Sequence, residues 1–205
     1  MVRHHVDHYF SEKPRSALVE KPVDTIVLGH RFHFVTPSGA FSSGRADPGS
    51  QLLVESVAVK DGMSVLDLGC GWGFVGVVLK KITPSISITC TDVNERALAF
   101  AKRNARANGV VLDILSGHLY EPVKDKRFDA IIVNPPMKAG REICYSIIEG
   151  ALTHLVSGGA LHLVAMHNRG GAMLEKKMKE VFGNVETIAK KSGFRVYRSQ
   201  LVTIQ

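Results

Sequence analysis

The sequence DLGCGWG at residues 67–73 combines one acidic residue with three glycines, and it lies where a predicted strand passes into a predicted helix. Glycines at such a junction allow a tight turn and let a ligand approach the backbone closely. Asp92 ends the next predicted strand, where a carboxylate can accept hydrogen bonds from ribose hydroxyls. Together the two features predict a site for a ligand that contains a nucleoside.

The spacing of the glycines indicates the kind of ligand. The loop reads G-x-G-x-G with Asp67 two residues before the first glycine, whereas dinucleotide-binding loops read G-x-G-x-x-G. The charge of Asp67 would repel a pyrophosphate but suits a cationic amino-acid group. S-adenosyl-L-methionine carries a sulfonium and an ammonium and no phosphate, so we expect it as the cofactor. The alternative is a glycine turn that only closes the junction between strand and helix.

Asn134, Pro135 and Pro136 follow the fourth predicted strand of the sheet, at the edge where ligands lie in open α/β folds. Prolines stiffen the chain and lack an N–H, and Asn134 adds a side-chain acceptor. We expect the neighbouring carbonyls to be free, so that they and Asn134 hold a planar NH2 group by both hydrogens. Such a grip would aim the nitrogen lone pair at a methyl donor, and positioning supplies much of the rate. The alternative is a proline-rich turn without a ligand.

Composition limits the class of protein. The 205 residues are 45% hydrophobic and 22% charged, which is typical of a globular domain and excludes a disordered chain. We see no long apolar run and no signal peptide, and therefore expect a cytoplasmic protein without membrane association. Three widely spaced cysteines predict buried free thiols and no metal site. The net charge of +7 favours polyanions such as RNA.

Helix and strand patterns alternate from residue 50 onward, which predicts a mainly parallel sheet covered by helices on both faces. Ser50 is the predicted N-cap of the first helix. Two short alternating runs, at 25–28 and 31–35, predict a β-hairpin before this region. The predicted strands of the sheet are 64–68, 87–91, 110–115, 128–133, 160–165, 185–190 and 194–202, and the helices are 51–59, 74–81, 95–108, 142–155 and 172–181.

In this order the motifs resemble the class I S-adenosylmethionine-dependent methyltransferases that methylate amines. More narrowly they resemble the small-domain family related to ribosomal RNA small subunit methyltransferase C, which modifies guanine N2. Residues 8–14, 39–42 and 47–50 share the likeness. It implies an α/β, Rossmann-like sheet of seven strands, mainly parallel with a C-terminal antiparallel hairpin, and a short N-terminal β-hairpin extension. Residues 1–49 would form that extension with a substrate-side loop, and residues 50–205 the methyltransferase domain.

The resemblance also implies site residues. Three positions depart from the family: His118 stands where relatives carry an acid near the adenine, Met137 where many carry an aromatic residue, and Lys138 where histidine is frequent. The implied catalytic residues are Asn134, Pro135 and Pro136; the implied cofactor-binding residues are Asp67, Gly69, Cys70, Gly71, Gly73, Asp92, Val93, Asn94, Gly117, His118, Leu119 and Asn134; the implied substrate-binding residues are Phe41, Arg45, Met137 and Lys138.

The sequence thus supports one main function and two alternatives. The main hypothesis is methyl transfer from S-adenosylmethionine to an exocyclic amine of a base in RNA, with guanine N2 of small-subunit ribosomal RNA as the expected target. The second is an enzyme that methylates a glutamine amide of a protein, since Asn-Pro-Pro also occurs there. The third is a non-catalytic RNA-binding module that keeps the cofactor fold, against which the intact Asp67, Asp92 and Asn134 argue.

Overall fold

The computed structural model describes residues 19–37 and 46–202. Its strands and helices alternate along the chain, as the hydrophobic pattern predicts. The strands are β1 (Glu20–Val27), β2 (His30–Pro37), β3 (Ser64–Leu68), β4 (Ser87–Asp92), β5 (Asp113–Ser116), β6 (Phe128–Val133), β7 (Leu155–Met166), β8 (Glu186–Lys191) and β9 (Phe194–Gln200). The helices are α1 (Pro48–Ser56), α2 (Phe74–Ile82), α3 (Glu95–Ala107), α4 (Arg141–His154) and α5 (Gly171–Phe182).

Seven strands form one sheet in the order β5-β4-β3-β6-β7-β9-β8. The pairs from β5 to β7 are parallel, and β9 runs antiparallel to both β7 and β8. The predicted C-terminal hairpin is therefore present, with its second strand inserted beside β7. Because β3, β4, β5 and β6 are parallel neighbours, their carboxyl ends lie along one edge of the sheet.

Alternate residues of each central strand pack on opposite faces of the sheet. In β3, Val65 belongs to a core formed with α1, α2, α3 and the N-terminal hairpin, whereas Leu66 and Leu68 belong to a core formed with α4 and α5. Asp67 shares the first face with Val65, so that its carboxyl group lies within an otherwise apolar layer. The strand pattern thereby fixes the direction in which the acid of the glycine loop points.

The N-terminal hairpin pairs β1 with β2 in an antiparallel register, with Leu28 and Gly29 at its turn. Two asparagines of α3 attach it to the domain. Asn104 accepts from the Val35 N–H at 2.8 Å and donates to the Val35 carbonyl at 3.0 Å, and Asn108 makes the same pair of contacts with His33 at 3.1 and 2.8 Å. The edge of β2 is therefore bound by side-chain amides instead of by another strand.

Helix α1 begins earlier than its sequence pattern predicts. It starts at Pro48, and the N-cap is Asp47, whose carboxylate accepts from the Ser50 N–H at 2.7 Å. The predicted Ser50 cap is wrong, because the Asp-Pro pair supplies both a strong cap and a residue preorganised for the first helical position. The division of the chain at 49 and 50 falls within the first turn of this helix and stays a prediction.

None of the helices within residues 19–37 and 46–202 has the length and apolar character needed to cross a membrane. The three cysteines are free and buried, as predicted.

Candidate active site

The glycine loop is held against the end of β4 by backbone hydrogen bonds. The N–H groups of Gly69 and Cys70 both donate to the Thr91 carbonyl, at 2.8 and 3.0 Å. Gly69 adopts φ +73°, and a Cβ placed on it would meet no atom within 4 Å. This glycine is therefore needed for its left-handed backbone, and open space lies beside it for a ligand.

The other loop residues have structural contacts of their own. A Cβ on Gly73 would lie 3.0 Å from the Ala101 Cβ, so that this glycine lets the loop pack against α3. The Cys70 side chain is buried beside Cys90, and its hydrogen bond with that thiol raises the pKa of Cys70 well above its usual value. Cys70 can consequently offer only its backbone to a ligand. Trp72 is buried and packs edge-on against Phe34 and Phe74.

Asp92, at the end of β4, ties the loop to the next helix. Its two carboxylate oxygens accept from the Gly71 N–H and the Asn94 N–H, each at 2.8 Å. Burial raises the pKa of Asp92, and these N–H groups together with that of Val93 oppose the rise. The Asn94 side chain caps α3 by accepting from the Ala97 N–H at 3.0 Å. Asn94 is buried in this role.

Asp67 lies deeper, and its Oδ2 accepts from the Gly76 N–H of α2 at 3.0 Å. Burial, with a smaller contribution from the negative charge of Asp92, raises the pKa of Asp67 to about 7. Two desolvated carboxyl groups beside one open loop make a site that a cation stabilises and an anion destabilises. The donor set therefore fits S-adenosylmethionine, whose amino-acid part is cationic near its sulfur.

Residues 117–119 follow β5 and complete this part of the edge. The Gly117 N–H donates to the Asp92 carbonyl at 3.2 Å, and a Cβ on Gly117 would lie 2.5 Å from Pro122. Leu119 has φ +48° and packs at the margin of the core, whereas His118 is exposed. These residues thus lie at the strand end next to Asp92, which is the place expected for adenine contacts.

Asn134, at the end of β6, has a fixed amide. Its Nδ2 donates to Asp47 Oδ2 at 2.8 Å and to Ser50 Oγ at 2.9 Å. Because both N–H groups are used, Oδ1 is left as the acceptor of the amide. Within the described parts of the chain no donor contacts that oxygen. The amide therefore presents a carbonyl oxygen for an N–H group from a substrate.

The two prolines differ from expectation in one respect. Pro135 is buried, and Pro136 has φ −76° and ψ +77°, an inverse γ-turn in which the Met137 N–H donates to the Pro135 carbonyl at 2.9 Å. The Pro136 carbonyl accepts from the Ala139 N–H at 2.8 Å. The prediction that these carbonyls are free is wrong, since the short turn that follows uses one acceptor position of each. Asn134 Oδ1 is thus the better-placed acceptor.

Of the four predicted substrate residues, the structure describes Met137 and Lys138. Met137 packs inward, with its sulfur 4.0 Å from Cys144 Sγ and its methyl group against Gly170. Lys138 is exposed beside it. Phe41 and Arg45 lie outside the described residues. In the described part of the chain no group of three His, Cys, Asp or Glu side chains is arranged to hold a metal ion.

Sequence reasoning missed the roles of Asp47 and Ser50. Both were part of a motif shared with the family, but their contact with Asn134 spans 87 and 84 residues of sequence. The available signal was an acid placed before a helix that begins near the same edge of the sheet. That signal predicts a helix cap, but it does not reveal that Asp47 also binds the side-chain amide of Asn134.

The family model described as the methyltransferase small domain matches residues 31–198. Among curated proteins, the Uncharacterized protein YbxB of Bacillus subtilis (strain 168) is 32% identical over 201 residues, which cover 96% of this chain and 99% of that protein. Ribosomal RNA small subunit methyltransferase C of Enterobacter sp. (strain 638) is 36% identical over 170 residues, which cover 80% of this chain and 48% of that protein. The chain thus spans about half the length of these methyltransferase C relatives.

Among solved structures, the T. thermophilus 16S rRNA N2 G1207 methyltransferase (RsmC), in complex with AdoMet and guanosine, has a TM-score of 0.77 at 24% identity. The likeness covers 92% of this chain and 52% of that chain, and it shows the fold. The predicted fold class and the predicted resemblance are both confirmed. The chain belongs to the methyltransferase small domain family, whose methyl donor is S-adenosylmethionine.

Proposed function

We propose that this protein transfers a methyl group from S-adenosylmethionine to the exocyclic N2 amine of a guanine in small-subunit ribosomal RNA. The observation that carries the proposal is the Asn134 amide, whose nitrogen is bound by Asp47 and Ser50 and whose oxygen is left to accept. The named relatives at 36% identity support ribosomal RNA as the substrate class. The net charge of +7 supports a polyanionic substrate.

In this proposal the cofactor lies along the ends of β3, β4 and β5. When bound, it supplies an electrophilic methyl group on a cationic sulfur, and the sulfur loses its charge as the methyl leaves. Asp67 and Asp92 provide negative potential for the cationic part and oxygens for the ribose. Gly69 and Gly71 give the backbone its close approach, and Leu119 lies where an adenine can pack.

Asn134 positions the substrate amine. Its Oδ1 accepts one amine hydrogen, which turns the nitrogen lone pair away from the Asn134 oxygen. The remaining acceptor capacity of the Pro135 carbonyl can take the second hydrogen. The methylated nitrogen is cationic and acidic enough to release its extra proton to solvent water. No strong base is therefore required, and a neutral amide suits the task. Pro135 and Pro136 keep the backbone of this acceptor rigid.

We further propose that residues 1–49 act as the substrate-side extension, that Phe41 and Arg45 bind the substrate, and that Met137 and Lys138 flank the target base. The sulfur of Met137 can pack on an aromatic ring from its position beside Cys144. We also propose a cytoplasmic location, because an enzyme that modifies ribosomal RNA acts where ribosomes form.

The test is a methyl-transfer assay with labelled S-adenosylmethionine on three substrates: unmodified small-subunit ribosomal RNA, transfer RNA and a release-factor protein. The proposal predicts label in the ribosomal RNA and, after digestion to nucleosides, N2-methylguanosine by mass spectrometry. Label in the protein as a methylated glutamine would replace the proposal by the amide-methylating alternative. Absence of label from all three substrates, in a protein that binds the cofactor, would favour the non-catalytic module.

A further inference from the structure

A pocket of about 310 Å³ lies beside β8 and β9, on the side of the sheet farther from the glycine loop. Residues 167–168, which follow β7, and residues 190–195, which include the turn between β8 and β9, line it. The His167 N–H donates to the Gly193 carbonyl at 2.9 Å, and this bond joins the two lining segments. We call this feature the cationic pocket, because Lys190, Lys191 and Arg195 are among its lining residues.

The charges of the cationic pocket are only partly neutralised. Lys191 pairs with Glu55 of α1 at 3.7 Å, and His167 lies 3.9 Å from Glu175. Within residues 19–37 and 46–202, no carboxylate lies within ion-pair distance of Lys190 or Arg195. The two cations that lack such a carboxylate belong to the same hairpin.

Lys190 and Arg195 are direct cross-strand partners in the β8–β9 ladder. Like charges placed directly opposite each other destabilise a hairpin. The hairpin does not need this pair for packing, since Lys190 is exposed. An anion between the two side chains would remove this repulsion. Binding of an anion would therefore stabilise the hairpin.

The cationic pocket also lies at the edge of the sheet where β6 ends and Asn134 follows. Strand β8 pairs antiparallel with β9, and β9 pairs antiparallel with β7, so that β8 ends at the same edge as β6 and β7. A first contact path to Asn134 runs from Phe194 of the pocket through Gly49 to Asp47. A Cβ added to Gly49 would lie 2.9 Å from the Phe194 ring and 3.0 Å from Asp47 Oδ2, which contacts the Asn134 amide.

A second path runs on the other side of the same edge. The turn at His167–Arg169 leads directly into Gly170, against which the methyl group of Met137 packs. Met137 is three residues from Asn134. The pocket is thus connected to the proposed amine site through both α1 and the loop after β6, with packed residues along each path.

We infer that the cationic pocket binds a backbone phosphate of the substrate RNA, beside the nucleotide whose base reaches Asn134. This inference rests on the proposed function and names the surface that engages the RNA. A phosphate between Lys190 and Arg195 would release counterions and fix the register of the strand without reading its sequence.

The test compares two variants that each lose one lysine and one arginine charge. The pocket variant is Lys190→Gln with Arg195→Gln. The control is Lys102→Gln with Arg106→Gln, two exposed residues of α3, a helix that packs on β2, β4 and β5. The substrate is transcribed small-subunit ribosomal RNA, and KM is measured at several salt concentrations with a saturating amount of S-adenosylmethionine.

We expect the pocket variant to raise KM for the RNA about tenfold over the control and to reduce the slope of log KM against log salt by about 1. Its kcat and its Kd for S-adenosylhomocysteine should equal those of the control. Equal KM values and slopes in the two variants would overturn the inference, because only net charge would then matter. Failure of the wild-type protein to methylate any RNA would instead overturn the proposed function.

Melting temperatures separate binding from folding. Because the substitutions remove a like-charge pair, the pocket variant should melt no lower than the control. If it melts lower, the single variant Lys190→Gln takes its place, since this side chain is exposed. A KM for RNA that matches wild type in that variant would overturn the inference.

Discussion

The chemistry assigned to Asn134 depends on which way its amide faces. A free asparagine can present either its oxygen or its nitrogen, and only the oxygen can accept from an amine. Asp47 Oδ2 is an acceptor when ionised, and at 2.8 Å it selects the nitrogen of the Asn134 amide. The same oxygen caps α1 through the Ser50 N–H at 2.7 Å. One buried carboxylate therefore orients the acceptor and anchors the helix that carries its partner Ser50.

Replacing Asp47 by serine tests this orientation. Serine still caps a helix but is too short to contact the Asn134 amide. We expect the methyl-transfer rate at saturating substrates to fall about 100-fold, as loss of positioning does, while the Kd for S-adenosylhomocysteine is unchanged. The matched control is Asp47→Asn, whose side-chain oxygen can replace Oδ2 and should restore most of the rate. A wild-type rate in Asp47→Ser would show that the Asn134 amide needs no such support.

The raised pKa of Asp67 predicts a pH dependence of cofactor binding. Burial raises the pKa of Asp67 from the ordinary value of an aspartate to about 7, so the folded protein without ligand keeps a proton there that the unfolded chain has lost. Stability of the free protein from this group therefore falls as pH rises from about 4 to 7. The ammonium group of S-adenosylhomocysteine favours the ionised form of Asp67, so that affinity for this ligand should increase between pH 6 and 8, as measured by calorimetry.

Two controls make that measurement specific. Asp67→Asn should give an affinity that is flat over the same pH range, since it has no proton to lose. In the wild-type protein, 5′-methylthioadenosine, which lacks the amino-acid part, should also bind with a flat profile. An affinity for S-adenosylhomocysteine that falls as pH rises would contradict the assignment of Asp67 to the cationic group.

At the scale of the elements, α3 holds three parts of the fold together. Asn104 is 1% exposed, and besides Val35 it donates to the Trp72 carbonyl of the glycine loop at 2.8 Å. The Asn104 side chain thereby links the N-terminal hairpin, α3 and the glycine loop. The glycine loop is consequently supported from both sides, by Asp92 below it and by Asn104 beside it.

Asn104→Ala should therefore destabilise the protein by about 3 kcal/mol, since it leaves several buried backbone groups without partners. Urea unfolding would measure the change. Lys102→Ala, an exposed substitution on the same helix, is the control and should cost less than about 0.5 kcal/mol. A loss in Asn104→Ala no larger than in this control would show that the hydrogen bonds of Asn104 do not stabilise the fold.

The strands whose bounds the sequence predicted best are short and almost wholly buried. Strands β3 and β6 have the predicted bounds, because each is a continuous buried run between polar residues. Strand β5 begins three residues later than predicted. The backbone N–H of Val110 donates to the Ala105 carbonyl at 3.0 Å, so the end of α3 uses a residue whose type favours a strand.

Strand β7 shows the opposite error, since it begins at Leu155 and not at residue 160. The sequence analysis predicts the end of a helix at residue 155, but Leu155 pairs with Phe128 across an irregularity in the ladder. A Cβ on Gly159 would lie 2.9 to 3.1 Å from three backbone oxygens, so glycine is what allows this close passage. The residue type was informative, but it indicated close packing of the backbone and not the end of a strand.

At the scale of the molecule, the proposed cofactor site connects elements that are far apart in sequence. Asp92, the last residue of β4, joins the other two strand ends. It accepts hydrogen bonds from Gly71 in the loop after β3 and from Gly117 after β5. Sequence could place each residue at the same edge, because the carboxyl ends of parallel strands lie along one edge of a sheet. It could not supply the link from Asn134 to Asp47, which depends on how α1 packs.

A ligand that contacts all three strand ends should stabilise the whole domain. With S-adenosylhomocysteine at 100 times its Kd, the free energy of unfolding should rise by about 2.7 kcal/mol. For a domain of this size that corresponds to an increase in melting temperature of roughly 5–10 °C. Asp92→Ala, which removes the Gly71 hydrogen bond and the carboxylate expected to bind the ribose, should abolish the increase. A wild-type melting temperature that does not change at any ligand concentration would contradict the proposed cofactor site.

We propose that Asn134 binds the amine to be methylated. Single-turnover methyl transfer to unmodified small-subunit ribosomal RNA tests this role. With cofactor and RNA both saturating, we predict that Asn134→Ala lowers the transfer rate at least about 100-fold while the Kd for S-adenosylhomocysteine equals that of wild type. Transfer by Asn134→Ala at the wild-type rate would contradict the claim, because the acceptor built by Asp47 and Ser50 would then have no part in the reaction.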